Sequence, residues 1–183
     1  MSLGESSRRD AATRAHVERA TPAAQPELTA FLRLSMDERW VLEAPRAMAD
    51  RRLRTGAERF ALALEDLLTL PADQPVLAEG PWFFPEFVAP LLSERRRAVW
   101  LVPTLAFKRA SAARRDKPTI RHATSDPARA TRNWLQRDLL LNAHVRQQTA
   151  ANQLTLIEVD GTRSPEDTAS LLAGHFELVA ATR

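Results

Sequence analysis

The N-terminal part of the chain has the apolar spacing of helices. Five apolar residues fall on one side of a predicted helix that starts near Pro26. A second helical region is predicted from about Pro45 to Leu70, with a break allowed at Gly56 and an end at Pro71. The first apolar stripe consists of Leu28, Phe31, Leu32, Met36 and Trp40.

Further along, the pattern changes to short, continuous apolar runs, which are typical of strands covered on both faces. The three runs are residues 76–80, 98–102 and 154–159. Helices are predicted between and after them, and two have sharp starts, where Asp126 precedes Pro127 and Ser164 precedes Pro165. This alternation predicts an α/β fold, a parallel sheet flanked by helices and joined by right-handed crossovers.

Length and composition suit a single domain. The 183 residues can bury a substantial core, and 44% are apolar while 27% are charged. No apolar run approaches the roughly 18 residues of a membrane span. The chain has no cysteine, which excludes disulfides and thiolate metal sites. We expect a cytoplasmic protein with no membrane partner, in which residues 1–25 are loosely ordered and residues 26–183 form the domain.

The sequence pI of about 10.4 is a weak sign of nucleic-acid binding. Net charge is only +3, and without Cys or Tyr almost nothing titrates between neutral pH and about pH 10. A binder of the phosphate backbone concentrates its basic residues on one face, whereas most of these alternate with acids, as in residues 36–39. A nucleic-acid-binding regulator is therefore the last-ranked alternative.

Ligands of an open parallel sheet bind beyond the carboxyl ends of its strands. Those ends carry Glu79-Gly80, Pro103-Thr104 and Asp160-Gly161. Glu79 is the candidate catalytic acid, because a carboxylate there can hold a Mg²⁺-bound water or accept a proton from an attacking hydroxyl. The alternatives for Glu79 are capping of the turn and pairing with an arginine. Trp82, just after it, is a candidate wall of a substrate pocket.

Residues 114–132 form an arginine-rich segment between two predicted helices, and prolines make its middle a loop. Guanidinium groups match phosphate bidentately, so this loop is a candidate lid over transferring phosphates. The alternative is a solvated surface loop. The four histidines lack the spacing of metal ligands, and no protein-held metal site is predicted.

The order of elements resembles the second half of a bacterial P-loop kinase-like protein of the nucleoside- or nucleotide-kinase type. The resemblance covers roughly residues 20–177, and residues 36–40 and 65–68 also resemble that group. The segments that carry it are residues 76–80, residues 98–104, the arginine-rich segment, Ser125-Asp126-Pro127 before a long helix, and residues 156–161.

The resemblance implies a helix-rich, kinase-like three-layer sandwich without its first strand. It also implies ATP and Mg²⁺ as cofactors and phosphoryl transfer to a small metabolite or nucleoside. It implies that Glu79 is the catalytic acid, that Asp37 and Arg39 lie near the acceptor, and that Asp160 and Gly161 form the turn near the adenine. The phosphate-binding arginines that it implies are Arg114, Arg115, Arg121 and Arg132.

The sequence departs from this group in one respect. Relatives begin with a strand, the loop G-x-x-x-x-G-K-[S/T] and a helix, and that loop holds the phosphates with backbone N–H groups and a lysine. No such loop is present in this sequence. The explanations left open are loss of the segment, truncation of the chain, and abandoned catalysis. An unpaired gap in the sheet would favour a homo-oligomer.

Two functions follow, and whether the chain is an enzyme is left open between them. The first is an ATP-dependent phosphotransferase acting on a small-molecule substrate, inactive without the missing loop. The second is a non-catalytic kinase-like domain that binds a small molecule or a protein partner.

Overall fold

The computed structural model describes residues 13–114 and 123–178, which divide into two units. The first unit comprises the described residues 13–83 and 123–133, and the second comprises residues 84–114 and 134–178. In this part of the chain, no helix has the length and apolar character needed to span a membrane.

The first unit is built on helix α3, Pro45–Leu68, which runs through Gly56 without a break. Three shorter elements precede it in the described chain: α1 (13–19), α2 (Pro26–Arg33) and a π-helical turn, Glu38–Leu42. Since α2 ends at Arg33, the predicted stripe does not lie on one helix, and Met36 and Trp40 fall outside it.

A long-range cap joins α2 to α3. The side chain of Glu58, on α3, accepts hydrogen bonds from the backbone N–H groups of Glu27 (2.9 Å) and Leu28 (2.7 Å). These two donors lie in the first turn of α2, where N–H groups have no partner within the helix. Leu28 is fully buried. Helix α3 therefore supplies the carboxylate that caps the first turn of α2.

The second unit contains a two-stranded parallel sheet. Strand β1 (Val99–Pro103) pairs with β2 (Thr155–Val159) in a register that joins Val99 to Thr155 and Pro103 to Val159. The helices with residues in this unit are α4 (Pro85–Val88), α5 (Leu105–Ala113), α6 (Pro127–Ala151, which starts in the first unit) and α7 (Pro165–His175). Two 3₁₀ turns, Ala89–Leu91 and Arg95–Arg97, precede β1.

The predicted helix starts are confirmed at both Pro127 and Pro165. Asp126 accepts a hydrogen bond from the N–H of Arg129 at 2.9 Å. Ser164 and Asp167 form a reciprocal capping box at the start of α7. Both starts depend on neighbouring residues only, which is why the sequence revealed them.

The predicted strand at residues 76–80 is wrong. These residues belong to no helix or strand, and the relative exposure of Val76 and Leu77 is 52% and 75%. A strand needs a paired backbone, and the sheet of the described chain holds β1 and β2 only.

The prediction that the strands are covered on both faces is also wrong for β1, since Leu101 is 43% exposed. The α/β class holds in a reduced form, a helix-rich chain with one small parallel pair of strands.

Candidate functional site

The carboxyl ends of β1 and β2 lie side by side, which brings Thr104 close to the turn at Asp160 and Gly161. The N–H of Thr104 donates to the carbonyl of Val159 at 2.9 Å, so pairing continues one residue past β1. The hydroxyl of Thr104 accepts from the N–H of Phe107 at 3.2 Å and caps α5. We call this region the sheet edge: Thr104–Phe107 and Asp160–Arg163.

Gly161 makes the close approach at the sheet edge. Its φ is +90°, a conformation that favours glycine, and an added Cβ would lie 2.7 Å from Cδ2 of Phe107. A shallow depression beside the turn, with room for about one water molecule (about 10 Å³), is lined by residues 157–161, Arg163 and Thr168.

Asp160 stabilises its own turn. Its Oδ1 accepts from the N–H of Thr162 at 2.9 Å and from the Thr162 hydroxyl at 2.7 Å. The hydrogen bonds from the Thr162 hydroxyl and N–H lower the pKa of Asp160 below its usual value. Asp160 therefore acts as an ionised acceptor in an Asx-type turn.

Helix α6 is fastened to α5 and to the end of β1 through polar side chains. Asn142 donates to the carbonyl of Pro103 at 2.9 Å. Asp138 is buried and forms ion pairs with Lys108 of α5 and with Arg137 beside it. The ammonium of Lys108 also lies 4.9 Å from the ring centroid of Trp134. A lysine at the second turn of α5 is thus held in one position.

The structure does not place Glu79 where the sequence predicted it. Glu79 is exposed in the segment without helix or strand, so it is not an acid at the end of a buried strand. Trp82 is buried, with the guanidinium carbon of Arg59 5.2 Å and the ring of His16 5.9 Å from its ring. Trp82 is therefore a buried residue of the first unit, and its part in a substrate pocket stays a prediction.

Asp37 and Arg39 have structural partners in the first unit. Asp37 accepts from the N–H of Ser125 at 2.8 Å, and hydrogen bonds with Ser125 lower its pKa. Arg39 donates to the carbonyl of Leu32 at 2.7 Å, and its guanidinium carbon lies 4.6 Å from the ring centroid of Phe31. These contacts hold the π-helical turn between α2 and α3.

The predicted phosphate-binding arginines fall in different places. Arg114 is exposed at the C-cap of α5, about 14 Å along the helix from the Thr104 end. Arg132 is exposed on the part of α6 that belongs to the first unit. Arg115 and Arg121 lie outside the described residues. Of the predicted site residues, the sheet edge contains Asp160 and Gly161.

Sequence reasoning missed two buried charged residues, Arg59 and Asp138, whose relative exposure is 7% each. The spacing along the chain was one indication for Arg59. Thr55, Arg59 and Leu62 recur at helical spacing and so share one face of α3, and in the structure all three are buried. The residue type by itself indicates the opposite, because most arginines in proteins are exposed to solvent.

The resemblance implies Mg²⁺, so the arrangement of its possible side-chain ligands matters. Among residues 13–114 and 123–178, no group of three His, Asp or Glu side chains is arranged to hold a metal ion. A metal held by the protein alone needs such a group, whereas Mg²⁺ bound together with substrate phosphates needs only one or two carboxylates, so the Mg²⁺ implied by the resemblance stays an expectation.

Comparison of the chain with protein-family models, with curated proteins and with solved structures gave no match.

Proposed function

We propose that the chain is a kinase-like domain that binds a phosphate-bearing small molecule at the sheet edge and does not by itself transfer the phosphoryl group. The observation that carries the proposal is the parallel register that joins Pro103 to Val159. It brings the N-terminus of α5 and the Asp160-Gly161 turn to one edge, where open parallel sheets bind ligands.

The chemistry of the sheet edge suits a phosphate attached to a polar group. The first-turn N–H groups of α5 that Thr104 does not cap have no partner within the helix and point toward an incoming anion. Arg163 supplies a guanidinium in the adjoining depression. Ionised Asp160 accepts hydrogen bonds and suits a sugar hydroxyl or a base amino group.

Two observations support binding over catalysis. The sequence contains no G-x-x-x-x-G-K-[S/T] loop. Glu79, the candidate catalytic acid, lies in an exposed segment without helix or strand rather than at the end of a strand. The proposal also includes ATP binding and a three-layer kinase-like sandwich, which are expected from the resemblance.

The test is titration of AMP, and separately of ATP, into the ¹⁵N-labelled chain, followed by NMR. We expect shifts of the amides of Leu105, Ala106 and Thr162, with no dependence on Mg²⁺. Arg163→Gln should weaken binding by roughly tenfold, since one charge-assisted contact contributes about 1.5 kcal/mol. The matched control is Arg109→Gln, an exposed arginine on α5.

The outcomes separate the alternatives. Absence of shifts at the sheet edge with both nucleotides overturns the proposal. Unchanged affinity in Glu79→Ala supports a non-catalytic site, whereas ATP turnover that this variant abolishes favours the phosphotransferase. Duplex DNA binding that falls steeply with salt would favour the nucleic-acid alternative.

A further inference from the structure

Arg59 is a buried cation for which the described residues supply no counter-charge. It lies on the inner face of α3 with a relative exposure of 7%. Its Nη1 atom is buried and has no hydrogen-bond partner among the described residues. Burial lowers the pKa of Arg59, and no nearby charge contributes to this shift. A guanidinium stays charged in proteins, so its charge has to be balanced in another way.

His16 lies on the same tryptophan as Arg59. The guanidinium carbon of Arg59 is 5.2 Å from the ring centroid of Trp82, and the ring centroid of His16 is 5.9 Å from it. His16 is 1% exposed, and its Nδ1 is also buried without a hydrogen-bond partner in the described chain. Trp82 therefore contacts two side chains that each have an unused polar nitrogen.

Asp66, the acid that contacts His16, is already occupied. Oδ2 of Asp66 lies 2.8 Å from Nε2 of His16, and Oδ1 accepts from Arg19 of α1. Glu65 lies 3.8 Å from the same arginine. Neither carboxylate forms an ion pair with Arg59, so the described part of the chain gives Arg59 no carboxylate partner.

We propose that Arg59 and His16 form a site on Trp82 for a compact oxyanion, such as inorganic phosphate or a carboxylate. The anion would accept hydrogen bonds from Nη1 of Arg59 and from Nδ1–H of His16. Nε2 of His16 already contacts Asp66, so Nδ1 is the ring nitrogen that remains for the anion. A buried water would satisfy the hydrogen bonds but leave the charge of Arg59 unbalanced. An anion would satisfy the hydrogen bonds and also balance the charge.

The segment next to Trp82 has no regular structure. Residues 75–80 have no helix or strand, and residues 75–79 are exposed. Displacement of Trp82 would therefore break few backbone hydrogen bonds. All four side chains of the proposed site, including Asp66, belong to the first unit, and the site is independent of the sheet edge.

The experiment titrates inorganic phosphate into the full chain at constant ionic strength, with chloride as the reference anion. We expect phosphate to raise the Tm above that in chloride and to shift the ¹⁵N resonance of His16 Nδ1 and the indole N–H of Trp82. Arg59→Met should lose at least tenfold in phosphate affinity. Arg46→Met, an exposed arginine on α3, is the matched control and should retain it. Sulfate and acetate distinguish a general oxyanion site from one that requires phosphate.

The proposal is overturned if phosphate leaves the His16 and Trp82 resonances of the wild type unchanged, or if Arg59→Met binds phosphate as the wild type does. If Arg59→Met does not fold, His16→Asn serves as the second variant and should weaken phosphate binding. Shifts at Leu105 and Thr162 report on the sheet edge, so failure of either site is recognised separately.

Discussion

Single side chains in this protein serve as links between helices more often than as parts of a catalytic group. Glu58 caps α2 from α3, Asn142 holds the end of β1, and Asp138 joins α5 to Arg137. Each link satisfies a group that burial would otherwise leave unpaired.

Asp138→Ala should strongly destabilise the chain. Lys108 and Arg137 would lose a buried carboxylate, and removal of one partner of a buried ion pair typically costs about 3–5 kcal/mol. We expect a decrease of about 3 kcal/mol in the free energy of unfolding, measured with urea. Asp50→Ala removes a more exposed pair with Arg46 and should cost less than about 0.5 kcal/mol. Equal effects of the two substitutions would contradict this account.

Gly161→Ala should destabilise the sheet edge. The new Cβ would lie 2.7 Å from the Phe107 ring, on a backbone with φ of +90°. The expected loss is about 1–3 kcal/mol, from strain and displacement of Phe107. Gly174→Ala is the control, because its Cβ meets nothing within 4 Å and α7 gains helix propensity, up to about 1 kcal/mol. Thermal unfolding of both variants should therefore give Tm shifts of opposite sign.

At the scale of elements, α1 is attached to α3 by a polar cluster. Burial opposes ionisation of Asp66, but hydrogen bonds from Arg19 and His16 and their charges outweigh it, so the pKa of Asp66 is lowered. A carboxyl with a lowered folded-state pKa stabilises the fold above its unfolded pKa of about 3.9. That stabilisation is lost as pH falls through the folded-state pKa.

Asp66→Asn tests this linkage. The variant should be less stable than the wild type at pH 7, and the difference should shrink as pH falls below about 4. Urea unfolding at a series of pH values measures it. Glu65→Gln is the control, since Glu65 is 67% exposed and lies 3.8 Å from Arg19. A constant difference between wild type and Asp66→Asn down to pH 2 would show that Asp66 does not act through its charge.

At the scale of the whole molecule, the described chain consists of two units with an exposed segment near the end of the first. Residues 69–79 are exposed, and between Pro75 and Gly80 the chain has no helix, strand or turn. Such a segment opens locally at little cost, because few contacts or backbone hydrogen bonds restrain it.

Limited proteolysis with chymotrypsin should therefore cleave early between Leu68 and Gly80. Leu77, at 75% exposure, is the expected site. Leu77→Glu should slow this cleavage, whereas Leu62→Glu, at a buried position of α3, should accelerate proteolysis throughout the first unit. Mass spectrometry of the first fragments shows whether the earliest cleavage lies between Leu68 and Gly80 or elsewhere in the chain. Early cleavage inside α3 of the wild type would contradict the expected order.

Sequence by itself determined the features that depend on neighbouring residues. The starts of α6 and α7 follow from Asp126-Pro127 and Ser164-Pro165, and the runs that became β1 and β2 were apolar enough to be identified. Residues 76–80 had the same local pattern, but only the tertiary structure decides whether a strand finds a partner. The same reason applies to Glu79, Arg59 and Asp138. Their roles depend on which distant residues are packed against them, and local spacing does not contain that information.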